Sequence, residues 1–288
     1  MSSTLFSQEW AELAGAAVLN VMWQGVVVGA FAALALFVTR RHSPNVRYAL
    51  SCISLLFVLA LLPLNLAQHM ASATPVQPLA ISEPSDDGAD LGIPSEKTTL
   101  IAPATTQLIV NGAGASRPSL SVEEWYALCL PWVGRIWCLG IVLFGLYDLT
   151  GILAIRRLRL QSRAVDSDIA ALAQRVKERV GVAFRVQVRW LEEAASARVT
   201  GWFRVVILLP ASIATRLAPD ELEAILAHEF AHIRRWDLWA NTLQRVVETL
   251  LFFHPVVWWL SSTIRTEREL CCDEIALCVC PDRARYVR

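Results

Sequence analysis

The sequence predicts a multi-pass α-helical membrane protein with a cytoplasmic α+β domain. Of its 288 residues, 55% are hydrophobic and the formal net charge is zero, which is too apolar for an ordinary soluble protein of this length. Three long apolar runs precede a more polar C-terminal region with mixed helical and alternating patterns. Because no Lys/Arg-rich run is separated from the hydrophobic segments along the sequence, the charge pattern does not favour direct binding of nucleic acid.

Each of the three apolar runs is long enough to cross the hydrocarbon core of a bilayer, about 30 Å thick, as a helix. They cover residues 13–38, 48–66 and 136–155. A cleavable signal peptide is the alternative for the first run, but the residues before it include Glu9 and Glu12 and no basic residue. The sequence therefore predicts two transmembrane helices within residues 1–68 and a third within 122–160.

Clusters of arginine predict the orientation of these helices in the cytoplasmic membrane. Arg40, Arg41 and Arg47 follow the first run, and Arg156, Arg157 and Arg159 follow the third. Because basic connectors stay in the cytoplasm, both clusters indicate an external N-terminus and a cytoplasmic region 161–288. The segment 69–121 is then external, and its richness in Ser, Pro, Ala and Thr predicts a flexible loop.

The cytoplasmic region begins with short helical and strand patterns. Residues 166–180 have helical periodicity, 182–191 alternate as a strand does, and 197–210 suggest a hairpin that turns near Gly201. Another helix is expected from Pro219, because proline suits a first helical turn and carboxylates follow at the positive end of the helix dipole. This helix continues through the sequence AHEFAHIRRWD.

Two histidines four residues apart on this helix are suited to bind one metal ion. His228 and His232 project from the same face one turn apart, so that two imidazole nitrogens can reach one zinc ion. Glu229 points about 100° away from His228, where it can act on a water molecule without binding the metal. In a zinc peptidase the metal polarises the scissile carbonyl, and the glutamate carries a proton to the leaving amine. The alternative is that both histidines are structural residues in a helix core, with hydrogen-bond partners and no metal ion.

A catalytic zinc ion needs a third protein ligand and an open fourth position. Glu269 and Asp273, four residues apart in RTERELCCDE, share one helical face. One carboxylate could bind zinc while the other accepts a hydrogen bond from a ligating histidine. Taken alone, this stretch could equally be a solvated helix with charge pairs such as Arg265 with Glu269. Together with HExxH, we expect it to supply the third ligand.

Three motifs in order, HEFAHIRRWD, FFHPVVWW and RTERELCCD, resemble the protease part of the antirepressor-type membrane zinc metallopeptidases. These are the BlaR/MecR-type beta-lactam sensor-transducers and their relatives, and the resemblance covers the membrane helices and nearly all of residues 160–280. It implies a glutamate-zincin fold and a protein substrate, which in this family is a cytoplasmic repressor or the protease itself. It also implies Zn2+ bound by His228, His232 and Glu269, with Glu229 as the catalytic glutamate and Asp273 supporting a ligand.

The sensor-transducers carry a large extracytoplasmic penicillin-binding domain after a further membrane span, whereas this sequence stops at Arg288. The sequence is then either a truncated form or a family member that senses a different stimulus. Recognition of beta-lactams is therefore not carried over from the resemblance.

A fourth apolar stretch, residues 238–264, lies between the two halves of the expected metal site. If it crossed the membrane once, HExxH and Glu269 would lie on opposite sides and could not bind one ion. We therefore expect a bent, membrane-associated element that breaks at His254 and Pro255, because proline disfavours helical geometry in the residue before it. His254 could bind metal or stabilise a transition state, but its apolar neighbours favour a structural role at the break.

Asp148 and a cluster of cysteines complete the candidate residues. Asp148 lies within the third apolar run, where a charge is costly, and we favour a paired carboxylate over a role in transport. The cluster lacks the paired CxxC spacing of structural zinc sites, so buried thiols are the preferred interpretation. Its members are Cys271, Cys272, Cys278 and Cys280.

The leading functional hypothesis is a membrane-embedded zinc endopeptidase that hydrolyses a cytoplasmic or membrane-proximal protein in signal transduction. A quality-control metallopeptidase that degrades misfolded membrane proteins has the same chemistry and is an alternative. A signalling scaffold with a structural metal site is a different class, against which Glu229 argues, because a structural site needs no base beside its ligands. The expected partners are a protein substrate and the lipid bilayer, and the sequence leaves the oligomeric state open.

Overall fold

The computed structural model describes residues 8–73, 121–192, 196–202, 204–213 and 218–279. Within these ranges lie α1 Gln8–Val38, α2 Pro44–Ala73, α3 Val122–Gln161, β1 Arg163–Ala164, α4 Ser167–Val180, β2 Val186–Leu191, β3 Arg198–Thr200, β4 Val205–Pro210, α5 Pro219–Arg234, α6 Asp237–Leu250 and α7 Pro255–Val279. Most of the predicted loop 69–121, residues 74–120, lies outside the described ranges. Its first residues were wrongly assigned, because α2 continues to Ala73.

Three helices in the described part of the chain, α1 to α3, are long and apolar enough to cross a membrane, and they contain the three predicted runs. Large side chains on their outer faces, such as Phe31, Phe57 and Tyr147, are exposed, as expected of helices that contact lipid. α1 approaches α3 closely at Gly15 and Gly134, where neither residue leaves room for a Cβ beside the backbone of the other helix.

The four strands form one sheet in the order β1-β2-β4-β3, in which β2 and β4 are parallel and the two outer pairs are antiparallel. β4 is buried along its whole length because its two faces pack on different helices. Ile207 and Leu209 pack with α4 and α5, whereas Val206 and Leu208 pack beside Leu158 of α3. The sheet thus joins the helix that carries the two histidines to the end of the third apolar helix.

The apolar stretch 238–264 is divided into two helices, with α6 and α7 on either side of residues 251–254. His254 is fully buried in this break. Its Nδ1 accepts a hydrogen bond from the backbone N–H of Val256 at 3.2 Å, and its Nε2 lies 3.2 Å from the carbonyl oxygen of Met22 in α1. The histidine therefore caps α7 and ties the break to α1, which is the structural role expected of it.

Charged side chains link α3 with α6 and α7. Asp148 accepts a hydrogen bond from Thr249 Oγ1 at 2.7 Å and forms an ion pair with Arg245. Arg245 also lies 3.3 Å from Glu248, a side chain only 3% exposed, which pairs with Arg265 at 2.8 Å. Opposite charges alternate through this network, which lowers the cost of burying them. The expected pairing of Asp148 is confirmed.

Candidate metal centre

α5 holds the two histidines of the HExxH motif on one face. Its start is capped by Glu221, whose carboxylate accepts a hydrogen bond from the backbone N–H of Ala218 at 3.0 Å, and it ends at Arg234. The Nε2 atoms of His228 and His232 approach each other to 3.1 Å. The side chains are 22% and 17% exposed, so that both rings are mostly enclosed while their Nε2 atoms meet at one point.

Glu269 brings the third donor from α7. Its Oε2 lies 3.4 Å from Nε2 of His228 and 3.5 Å from Nε2 of His232. Zinc bonds of about 2.0–2.1 Å at tetrahedral angles separate two donors by roughly 3.3 Å. The three edges of the observed triangle therefore fit a tetrahedral ion with one position left for substrate or water. The Glu269 side chain is 51% exposed, so the centre is open to solvent on this side.

The Nδ1 atom of each histidine, which faces away from the donor triangle, forms a hydrogen bond with a carboxylate. Nδ1 of His228 lies 2.9 Å from Asp273 Oδ1, and Nδ1 of His232 lies 2.8 Å from Asp237 Oδ2. A proton on each Nδ1 leaves the Nε2 atoms free to face a metal ion, which is the arrangement by which carboxylates orient ligating histidines. The two supports differ in environment, because the Asp237 side chain is 5% exposed and that of Asp273 is 43% exposed.

Asp237 was not predicted as a site residue, although it ends the motif AHEFAHIRRWD. On a continuous helix, a residue five positions after His232 would point about 140° away from it. The chain instead turns at Trp236, whose φ of 62° is left-handed, and α6 then begins at Asp237. The turn brings Asp237 back to the histidine. An acidic residue three positions after the end of the histidine helix was the available signal.

Cys272 belongs to the surroundings of the centre rather than to a second metal site. Its Sγ lies 3.2 Å from Nδ1 of His232 and 3.4 Å from Asp237 Oδ2. Sulfur and nitrogen donors on one tetrahedral zinc ion would be separated by roughly 3.5–3.6 Å, so these distances suit hydrogen bonds better. Burial raises the pKa of the Cys272 thiol, which favours the protonated form. Cys271 is also a buried free thiol, but Cys278 is exposed near the end of α7, contrary to expectation, and Cys280 lies outside the described chain.

The carboxylates around the histidines favour a cation at their centre. Burial alone would lower the pKa of His228 and His232, but hydrogen bonds with Glu269, and with Asp237 for His232, outweigh it and raise both values. Hydrogen bonds from the two histidines lower the pKa of Glu269 well below its usual range, so Glu269 is ionised. The same negative field that favours a proton on the imidazoles favours a divalent metal ion.

Glu229 has the opposite tendency. Glu229 is only 9% exposed, and this burial raises the pKa of its carboxyl. The neighbouring His232 and His228 partly offset the rise. A carboxyl whose pKa is closer to neutral can both accept and release a proton under ordinary conditions. The pKa values of two neighbouring carboxyl groups, Glu229 and Glu269, are thus shifted in opposite directions.

The fold and the site together define a membrane-associated metallopeptidase, with helices of membrane-spanning length beside a three-donor centre. The chain belongs to the BlaR1 peptidase M56 family, whose model matches residues 16–287. It is similar to the Regulatory protein BlaR1 of Bacillus licheniformis, with 28% identity over 139 residues. This match covers 48% of the chain and 23% of the relative, so the chain matches about a quarter of that relative's length. The resemblance predicted from the three motifs is confirmed.

Proposed function

We propose that the protein is a multi-pass zinc endopeptidase of the cytoplasmic membrane that cleaves a protein substrate in signal transduction. The observation that carries this proposal is the donor triangle of His228, His232 and Glu269, whose atoms lie within 4.8 Å of one another. Two imidazoles and one carboxylate, with an open fourth position, are a ligand set of catalytic zinc ions in peptidases. Two ligands on one helix and a glutamate on a later helix also support a glutamate-zincin fold.

The roles of the residues follow from their positions. His228, His232 and Glu269 would hold the zinc ion, which when bound would polarise the scissile carbonyl and lower the pKa of the attacking water. Glu229, on the same helix as the histidines, would take a proton from that water and pass it to the leaving amine. Burial raises the pKa of its carboxyl, which makes the carboxylate a stronger base for the first transfer.

An extended substrate can be held at β3. Within the described sheet, β3 pairs with β4 on one side only, so its other edge is available for main-chain hydrogen bonds. A peptide that adds to this edge as another strand would run close to α5, which contacts β3 and carries both histidines. Recognition through the backbone would leave the choice of sequence to side-chain pockets beside the strand.

We further propose that the metal centre lies at the cytoplasmic surface of the membrane. The break between α6 and α7 packs against the middle of α1, where Gly25 leaves no room for a Cβ beside His254 and Gly29 lies against Val256. From this point inside the apolar helices, α6 and α7 lead back toward the histidines and Glu269. The centre therefore lies near the short basic connector between α1 and α2, which the arginine pattern assigns to the cytoplasm.

The faces of α6 support a re-entrant element in lipid. Trp239, Leu243 and Val246 on its outer face are between 42% and 47% exposed, whereas Gln244 and Glu248 are buried. A helix on the surface of a water-soluble protein buries its apolar face and exposes its polar face. The opposite arrangement in α6 suits a helix whose outer face contacts lipid acyl chains.

Cysteine labelling tests this topology. In a background without Cys280 and without the two thiols that are exposed in the described part of the chain, Cys129 and Cys278, we expect Ala240→Cys and Ser262→Cys to react with a membrane-impermeant reagent from the same, cytoplasmic side. Reaction of the two positions from opposite sides would contradict the re-entrant element.

The relative from Bacillus licheniformis is a regulatory protein by name. Combined with the family's peptidase fold, this supports a substrate that acts in signalling. We propose a cytoplasmic repressor or the protease itself, since a substrate of this kind can reach a centre at the inner membrane surface. Broad cleavage of unfolded membrane proteins by the purified protein would favour the quality-control alternative instead.

The metal content of the detergent-purified full chain tests the three-ligand centre. We expect about one zinc ion per chain in the wild type and none in His228→Ala or Glu269→Ala, because a catalytic centre cannot spare one of three protein ligands. Zinc retained by Glu269→Ala would mean that the third ligand lies elsewhere.

Glu229→Gln separates catalysis from metal binding. We expect this variant to keep zinc, because Glu229 is not one of the three donors, and to lose cleavage by about 10²–10⁴-fold, the usual contribution of a general acid–base group. Signalling that persists in cells carrying Glu229→Gln would favour a scaffold over an enzyme.

A further inference from the structure

Residues 39–48, here called the connector, comprise the link between α1 and α2 and the first turn of α2, and they contact α7 through Arg47. Its guanidinium forms a two-point contact with Glu267, with 2.8 Å from Nε to Oε1 and 2.8 Å from Nη2 to Oε2. Nη1 donates to the backbone carbonyls of His42 at 2.9 Å and Arg40 at 3.2 Å. The arginine is therefore held by the connector backbone on one side and by α7 on the other.

A second arginine connects the connector to the turn after α5. Nη1 of Arg235 donates to Asn45 Oδ1 at 2.6 Å, and its guanidinium carbon lies 4.9 Å from the ring centre of Tyr48. Its Nε lies 3.7 Å from Oδ1 of Asp237, whose other oxygen holds His232. The side chains of Arg235 and Asp237 are 15% and 5% exposed, so the path from connector to histidine is largely enclosed.

We propose that the connector positions the two halves of the metal centre relative to each other, with Arg47 and Arg235 as positioning residues. This inference rests on the proposed zinc peptidase function. Glu267 precedes Glu269 by two residues and points to nearly the opposite side of α7, so Arg47 acts on the carboxylate donor through the position of the helix. Arg235 acts on the other half through Asp237. Because zinc distances vary by only about 0.2 Å, a small shift of one half against the other weakens the centre.

This arrangement also indicates how the centre would be regulated. α1 and α2 are long and apolar enough to cross the membrane, and the connector is their link at one end. A displacement of α2 relative to α1 would reach both donor groups through the two arginines. The connector would convert a movement in the membrane into a change of metal geometry, without a contact between the moving helix and the substrate.

Zinc affinity of the full chain in detergent, measured by competition with a chromophoric chelator, tests the proposal together with the absorption spectrum of the Co2+ form. Arg47→Ala is expected to weaken zinc binding by about tenfold, the lower end of the range for groups that contact a ligand directly, because Arg47 acts only through the position of α7; the Co2+ spectrum should change as well. Arg41→Ala is the matched control, because it removes an exposed arginine from the same connector, and both readouts should stay unchanged.

Glu267→Gln changes the other end of the same contact and keeps the shape of the side chain. It is expected to weaken zinc in the same direction, and the double variant should be no weaker than Arg47→Ala, because both changes remove one contact. Wild-type affinity and Co2+ spectrum in Arg47→Ala, or in Glu267→Gln if Arg47→Ala does not fold, would overturn the proposal. A wild-type chain that binds no zinc would overturn the proposed function itself.

Discussion

Replacing Asp237 by asparagine should weaken zinc binding by about 10–100-fold while the protein stays folded. The Asp237 carboxylate accepts a hydrogen bond from His232 Nδ1 at 2.8 Å, and its side chain is 5% exposed. Hydrogen bonds to charged groups contribute about 1.5–3 kcal/mol, and each 1.4 kcal/mol changes an equilibrium constant about tenfold. Loss of the charge removes most of this contribution, because the amide of asparagine is a weaker acceptor and can face the ring with its NH2 group.

Asp273→Asn is the matched comparison. Asp273 supports His228 at nearly the same distance, 2.9 Å, but its side chain is 43% exposed. Solvent screens this contact, so its contribution should stay below about 1 kcal/mol, which corresponds to less than about fivefold in zinc affinity. The difference between the two aspartates therefore depends on burial, not on bond length.

Chelator competition on the two variants measures both affinities, and thermal unfolding with excess chelator reports the stability of each metal-free protein. Comparable unfolding temperatures would assign the change in affinity to the centre rather than to the fold. The reasoning is refuted if Asp273→Asn weakens zinc binding as much as Asp237→Asn does.

Three further changes test other parts of the structure. Gly25→Ala should lower the stability in detergent by about 1–3 kcal/mol, since its Cβ would overlap His254. Gly145→Ala is the control and should not lower it, because no atom lies within 4 Å of the added Cβ. Equal effects of the two changes would contradict the packing of the break. Asp148→Asn should lower the unfolding temperature because Arg245 loses its partner on α3, and an unchanged temperature would show that the pair contributes nothing. Chelation of zinc should lower the unfolding temperature of the wild type but not of His228→Ala, as expected for a metal that binds the folded state.

Features that depend on local sequence were predictable. Apolar runs report helices of membrane-spanning length because the thickness of the hydrocarbon core sets their length directly. The spacing of His228 and His232 reports a shared face because one helical turn is fixed by backbone geometry. The break at His254 was predictable from Pro255 together with the requirement that Glu269 return to the histidines.

Features that depend on turns and on distant contacts were not predictable. Asp237 supports His232 because of the left-handed turn at Trp236, and nothing in the spacing of the motif requires this turn. The burial of the cysteines was only partly foreseen, since Cys272 is enclosed beside His232 while Cys278, farther along the same helix, is exposed. The end of α2 was also misjudged, because the apolar run ends at residue 66 whereas the helical backbone continues to Ala73.

By itself, the sequence determined the classes of element and the residue types of a metal centre, because hydropathy and helical spacing act over a few residues. Only the tertiary structure decided that Asp237 accepts a hydrogen bond from His232 and that the α1–α2 connector contacts both halves of the centre. Arg47 and Glu267 are 220 residues apart in the chain, and their contact exists only because α2 packs against α7. Such pairs depend on the packing of whole helices, which no local pattern encodes.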